Sequence, residues 1–151
     1  FADNDIYYKG SWMLYTLRHV VNNDTLWFNT LYDYTKTFKY FSVTTPQTIN
    51  FFSARTRMAL QPIFEQYLTQ PNLPVFEYSV KENSNGGLEL RYRWTNTVKG
   101  FSMPIQVTLS KNEYSIITPD SRWRVADLNY FNRTDFKILT DNYLIEVKEV
   151  K

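Results

Sequence analysis

The chain contains no cysteine and a single histidine, His19, among its 151 residues. The first absence excludes disulfides, thiolate catalysis and Cys-ligated zinc. The second excludes a self-contained hydrolytic zinc site, which needs about three His or carboxylate ligands. There is no His-Glu-x-x-His, no Gly-x-Ser-x-Gly elbow and no Gly-rich phosphate loop, so the common zincin, hydrolase and nucleotide-binding signatures are absent as well. With only four glycines and six prolines, the composition is not that of a linker or a low-complexity segment. No apolar run approaches the roughly 20 residues that span a bilayer. Neither sign of charge dominates: the net charge is +2, and each half of the chain carries one basic residue more than acidic ones. Without a basic arm or stripe, a nucleic-acid partner is not expected.

What the chain does have is aromatic mass. Twelve Tyr, eleven Phe and four Trp make up 18% of the residues, within a hydrophobic content of 43%. That is ample for a core, and the rings are spread over the whole length. The opening Phe1-Ala2-Asp3-Asn4-Asp5 reads as the interior of a longer polypeptide, and a part of a protein is expected rather than a whole one.

The hydrophobic period divides the chain in two. Residues 6 to about 70 read as helical. Leu14, Leu17 and Val21, with Met13 and Val20 beside them, form the apolar stripe of a first helix. Arg18 and His19 fall in its last turn, where positive charge suits the helix dipole. Asn22-Asn23 ends it, and Asp24 is the expected cap of a second helix bearing Leu26, Trp27, Leu31 and Tyr34. Thr44 and Gln47 have capping-box spacing for a third helix, running to about Thr56, with Pro46 in its first turn. A short fourth starts near Pro62 and carries Ile63, Phe64, Tyr67 and Leu68.

After Pro71-Asn72-Leu73-Pro74 the period becomes two. Phe76, Tyr78 and Val80 alternate with polar residues, as do Leu88, Leu90, Tyr92 and Trp94, then Met103, Ile105, Val107 and Leu109, and finally Tyr143, Ile145 and Val147. Turn signals at Asn83-Ser84-Asn85-Gly86-Gly87, Lys99-Gly100, Lys111-Asn112 and Pro119-Asp120 separate the runs. About seven short strands of this kind predict an antiparallel sandwich. The fold class expected is therefore α+β, with a helical part over residues 1–72 and a β-sandwich over 73–151.

Few residues suggest chemistry. Tyr7 stands at the start of the first helix, where a phenol can reach out of the core and donate to an oxyanion, or simply pack. His19 reads as a helix-end residue. Arg91-Tyr92-Arg93-Trp94 on a strand puts the arginines on one face and the rings on the other, a solvated face and a core face. Trp94 and Trp123 are the candidates for a glycan platform, with core filling as the alternative. Asn23-Asp24-Thr25 and Asn132-Arg133-Thr134 fit the glycosylation triplet, a frequent chance match.

The order of these motifs resembles a known family. Tyr7, Lys9 and Gly10, with Tyr8 in the variable position, match a Tyr-x-Lys-Gly motif, and the following Ser11-Trp12-Met13-Leu14-Tyr15-Thr16-Leu17-Arg18 reads as the helix that it opens. Together they resemble the segment downstream of the zinc site in the gluzincin aminopeptidases, the aminopeptidase N family. Ser42-Val43-Thr44-Thr45 resembles that family's next helix entry. Leu60-Gln61-Pro62-Ile63-Phe64-Glu65-Gln66-Tyr67-Leu68 is similar to the last helix of its catalytic domain, with Tyr67 where a Trp commonly stands. Leu73-Pro74 then leads into strands, as before the family's small sandwich.

The resemblance implies that residues 1–72 are the back of a thermolysin-like catalytic domain and that Tyr7 is the tyrosine stabilising the tetrahedral intermediate. It implies an intact parent that is a zinc aminopeptidase removing N-terminal residues from peptides. The zinc ligands (His-Glu-x-x-His and a distal Glu) and the Gly-x-Met-Glu-Asn-type substrate clamp would lie upstream of this chain. The chain would bind no zinc and be inactive alone, with peptide substrate and the rest of the catalytic domain as partners. Its substrate-binding residues are unknown. A bacterial cell-envelope or periplasmic location is the resemblance's implication for compartment. The alternative expectation is a non-catalytic helical-plus-sandwich module binding protein or carbohydrate through surface aromatics.

Overall fold

A computed structural model describes residues 5–128 and 132–151. Four helices come first: α1 (Asp5–Val21), α2 (Asp24–Thr37), α3 (Thr45–Thr56) and α4 (Gln61–Thr69). Six strands follow: β1 (Val75–Glu82), β2 (Leu88–Thr95), β3 (Ile105–Ser110), β4 (Glu113–Ile117), β5 (Arg124–Leu128) and β6 (Glu146–Glu149). Two short 3-10 turns, Arg133–Asp135 and Thr140–Asn142, precede the last strand. The fold is α+β, a helical part and then a strand-rich part.

Local chemistry accounts for the helix ends. The α2 cap is Asn23 rather than Asp24: the Asn23 side chain accepts from the Leu26 N–H at 2.9 Å. Asp24, one residue inside, instead takes both ends of the Arg18 guanidinium at 2.7 and 2.8 Å. At α3 the expected pair forms, Gln47 Oε1 accepting from the Thr44 N–H at 2.9 Å. The buried stripe of α1 is Met13, Thr16, Leu17 and Val20, spaced i, i+3, i+4, i+7. Leu14, expected on it, is exposed, because it stands about 100° around the helix from Met13, beyond the edge of the stripe. Leu68 of α4 is likewise exposed while Ile63, Phe64 and Tyr67 are buried.

The strands form a four-stranded sheet in the order β5-β2-β1-β6 and a two-stranded sheet of β3 and β4. β1 and β2 pair antiparallel, Phe76 opposite Trp94 and Val80 opposite Leu90. The turn between them is closed by Asn83, whose Oδ1 accepts from the N–H groups of Asn85 and Gly87 at 3.0 and 2.9 Å. Gly86 sits there at φ 76°, a conformation that costs glycine nothing. One pair departs from the antiparallel expectation. β6 lies parallel to β1, Phe76 opposite Val147, because the chain reaches that edge after a long excursion rather than through a hairpin. Only Glu146–Glu149 of the expected last strand is extended in the ladder. Tyr143, ahead of it, is buried in the core.

The core is continuous across the helical and strand-rich parts, joining Leu17, Phe52, Ile63 and Phe64 to Phe76, Trp94, Met103 and Ile105. Polar ties cross with it. Gln66, 1% exposed, donates through Nε2 to the carbonyls of Asn72 and Asn96, while its Oε1 accepts from the Val98 N–H at 2.8 Å. Such a buried amide stabilises only because each of its groups is paired. Tyr67 donates its phenol to the Leu144 carbonyl at 2.9 Å, and the Leu144 N–H donates to Thr16 Oγ at 2.9 Å. Burial pushes the Tyr67 phenol well above its usual range, so it acts as a fixed donor. Tyr67 thus links α1, α4 and the segment ahead of β6.

Candidate functional site

Tyr7 is the third residue of α1, and its side chain is 76% exposed. Its carbonyl accepts from Ser11 Oγ at 2.7 Å, one turn on. Lys9, the second residue of the motif, reaches across to the end of α4 and donates to the Gln70 carbonyl at 2.8 Å. That contact ties the Tyr7 turn to the last helix, and through Gln66 on the same helix to the sandwich. Lys9 is therefore a positioning residue for the start of α1.

Gly10 completes the motif inside the helix, and a Cβ placed on it would meet nothing within 4 Å. Neither turn geometry nor packing within the described residues requires glycine there. A helix-interior glycine costs about 0.5–1 kcal/mol relative to alanine. Gly10→Ala is expected to raise the stability of this chain by that amount, read as an upward shift of the urea midpoint. A destabilised variant would show that the small residue is needed for the helix itself.

The outward face of α1 is a row of rings. Tyr8, Trp12 and Tyr15, spaced i, i+4, i+7, are all exposed. Trp12 and Tyr15 meet edge to face at 5.7 Å, and with Ser11 they line an open hollow of about 310 Å³. The row ends on His19, whose ring stands 4.6 Å from that of Tyr15 and 6.2 Å from that of Tyr143. Tyr143 is itself buried, its phenol pushed up to about 12.

His19 lies in the last turn of α1, as expected, and is partly buried. Its Nε2 is buried and has no hydrogen-bond partner among the described residues. Burial, and then the Arg18 charge, hold its pKa below the usual imidazole value, while Asp24 opposes them. The folded chain therefore resists a proton that the unfolded chain accepts at about pH 6.5. Stability is full above that pH and falls as the pH drops below it, through the depressed folded value. His19→Gln is expected to flatten the stability profile between roughly pH 7 and pH 5, measured by urea unfolding at each pH. An unchanged slope would place the titrating group elsewhere.

Among the described residues no group of three or more His, Cys, Asp or Glu is placed to hold a metal ion. No helix among them is long and apolar enough to cross a membrane. The candidate glycan platform divides: Trp94 is wholly buried, its indole N–H donating to the Met103 carbonyl at 3.0 Å. Trp123 lies on the opposite, solvated face, with the Arg91 and Arg93 guanidinium carbons 5.5 and 4.5 Å from its ring centre. Arg93 also pairs with Glu77 at 2.7 Å, and this bond, with Lys148 beside it, draws the Glu77 pKa down. The ring of Trp123, though 36% exposed, is engaged by two arginines rather than left wholly open for a sugar.

Sequence reasoning missed a second set of exposed rings. Phe28, Tyr32, Tyr40 and Phe41 all face solvent along α2 and the turn after it. The spacing of Phe28, Tyr32 and Lys36 at i, i+4, i+8 was the available signal. The same helix buries Trp27 and Thr30 on its other side.

No protein-family profile matches the chain, and no curated protein matches it. A solved structure does: Legionella pneumophila aminopeptidase A, in complex with aspartic acid, superposes with a TM-score of 0.78 at 12% sequence identity. The superposition covers 99% of this chain and 18% of that one. This chain therefore spans less than a fifth of the length of the protein that it resembles. At that identity the likeness is one of fold, and it runs through both the helical and the strand-rich parts.

Proposed function

We propose that this chain is part of a zinc-dependent aminopeptidase of the gluzincin class, similar to the aminopeptidase N family. It would supply the rear of the catalytic domain over residues 1–72 and the adjoining sandwich over 73–151. The observation that carries the reading is a coincidence of two independent signals. The fold follows an aminopeptidase over 99% of the chain, and the Tyr-x-Lys-Gly motif opens α1 with its phenol held out to solvent.

In this reading Tyr7 donates its O–H to the substrate carbonyl oxygen as that oxygen becomes an anion in the tetrahedral intermediate. A donor so placed favours the transition state over the ground state, since the negative charge exists only there. Lys9 sets the height of Tyr7 through the Gln70 carbonyl. Gly10 leaves the α1 surface beside Tyr7 low enough for substrate or another segment of the parent to approach. The row Tyr8, Trp12 and Tyr15 is apolar surface of the kind that a missing half of a domain covers. Among the described residues no donor set fits a zinc ion, and in this reading the metal and its ligands belong to the rest of the parent.

The test is made on the complete gene product. Purified enzyme should contain zinc, release the N-terminal residue of short peptides and lose that activity to a chelator. A complete product without zinc or without exopeptidase activity would remove the reading. The alternative module, binding protein or glycan through the sandwich, has Trp123 as its best ring, and Arg91 and Arg93 engage it.

A further inference from the structure

The turn joining α2 to α3 carries a surface that the peptidase reading does not use. Tyr40 and Phe41 are 91% and 72% exposed, side by side at its tip. The turn closes through a hydrogen bond from the Phe41 N–H to the Phe38 carbonyl at 3.0 Å, and Phe38 packs inward on Tyr34 and Phe51. Tyr40, at the third position of that turn, has φ 68°. Glycine or asparagine ordinarily fills such a position, and an aromatic residue there is strained. The strain presents a ring to solvent and contributes no packing that would explain it.

Charge sorts in the same place. From Tyr34 to Phe64 the sequence has no Asp or Glu but has Lys36, Lys39, Arg55 and Arg57. Arg55 pairs with Asp33. The two lysines stand just ahead of the tip and lie over rings rather than on carboxylates: Lys36 Nζ is 4.3 Å from the Tyr32 ring centre and Lys39 Nζ 4.8 Å from that of Tyr40. Phe28 and Tyr32 extend the exposed apolar row back along α2.

From this arrangement we infer that the α2–α3 tip is a docking surface for an anionic phospholipid bilayer. Tyr and Phe rings suit the headgroup layer, and lysines beside them meet lipid phosphates while their stems follow the apolar surface. A protruding tip of two rings is the shape that inserts, whereas a protein partner of ordinary interface size needs a broad complementary face. Four rings against two lysines at the tip is also the wrong proportion for a nucleic-acid groove, where phosphate contacts dominate. The docking is peripheral and salt-sensitive, since two lysines supply its electrostatic part. It does not depend on the peptidase assignment.

The experiment is co-sedimentation of the complete gene product with vesicles of phosphatidylcholine, with and without phosphatidylglycerol, at low and high salt. Binding is expected to the anionic vesicles at low salt and to weaken as salt rises. Lys36→Glu with Lys39→Glu should weaken it about tenfold or more. Tyr40→Asn with Phe41→Ser should abolish it while leaving the melting temperature unchanged or higher, because asparagine accepts the left-handed backbone. Three results would overturn the inference: no binding to anionic vesicles at low salt, binding that both double variants retain, or a self-associated chain that the tip variants render monomeric in sedimentation velocity. The last would assign the tip to a second copy of this chain.

Discussion

Tyr7→Phe in the intact enzyme is expected to lower turnover by about a hundredfold or more, with zinc content and folding unchanged. The expectation rests on removing one hydroxyl that has no hydrogen-bond partner among the described residues. The Tyr7 side chain is 76% exposed, so its loss leaves no cavity and orphans no buried group. On the proposed reading, what disappears is a single hydrogen bond to the developing oxyanion, worth roughly 2.7–4 kcal/mol in a preorganised site. Because that bond strengthens as charge develops, kcat should fall while KM moves little. Lys9→Met provides the companion measurement. It leaves the phenol in place but releases the turn from the Gln70 carbonyl, so a smaller fall in kcat is expected, without loss of zinc. A Tyr7→Phe enzyme with full turnover would take Tyr7 out of the mechanism.

Trp94→Ala is expected to cost about 3–5 kcal/mol of stability, the largest structural effect in the chain. Trp94 is fully buried between the rings of Phe76 at 5.3 Å and Phe101 at 5.6 Å. Its removal opens a cavity at the centre of the sandwich and leaves the Met103 carbonyl without its indole donor. For a domain whose total stability is about 5–15 kcal/mol, such a loss is a large share, visible as a collapse of the urea midpoint. Trp123→Ala is the control on the other face of the same sheet. Exposed and held by arginines, Trp123 should cost no more than about 1 kcal/mol. Equal losses from the two would contradict the assignment of Arg91 and Arg93 to one face and Tyr92 and Trp94 to the other.

That division of faces was legible in the sequence, since alternation along a strand fixes which side chains share a side. The change of period near Pro71–Pro74 likewise marked where helices give way to strands, and capping spacing found the entry to α3. The failures were of smaller angle. On α1 both Leu14 and Met13 are apolar, and only burial in the shared core selects the stripe through Met13 and Leu17. At α2, Asn23 and Asp24 are both good caps, and Arg18 decides between them by engaging Asp24. The parallel pairing of β6 with β1 depends on a distant segment returning to a sheet edge, which no local pattern encodes. Nor does the sequence reveal that Tyr40 is held at positive φ or that the His19 Nε2 is buried without a partner among the described residues. Both depend on neighbours that the fold brings in.

The candidate site was legible as a motif and not as a site. Tyr7, Lys9 and Gly10 could be singled out from their order ahead of an amphipathic helix. The tie from Lys9 to Gln70 crosses most of the helical part, and only the folded chain brings the two together. The open side of Gly10 and the ring row of Tyr8, Trp12 and Tyr15 acquire a purpose in the proposed reading through surfaces that this chain does not contain.

The most direct measurement of the central proposal is the coding sequence upstream of the Phe1 codon, translated in frame. The peptidase reading expects a His-Glu-x-x-His helix with a further Glu downstream, within on the order of a hundred residues of Phe1. A start codon immediately before Phe1, or an unrelated domain in that place, would contradict it and leave Tyr7 as an exposed ring on a non-catalytic module.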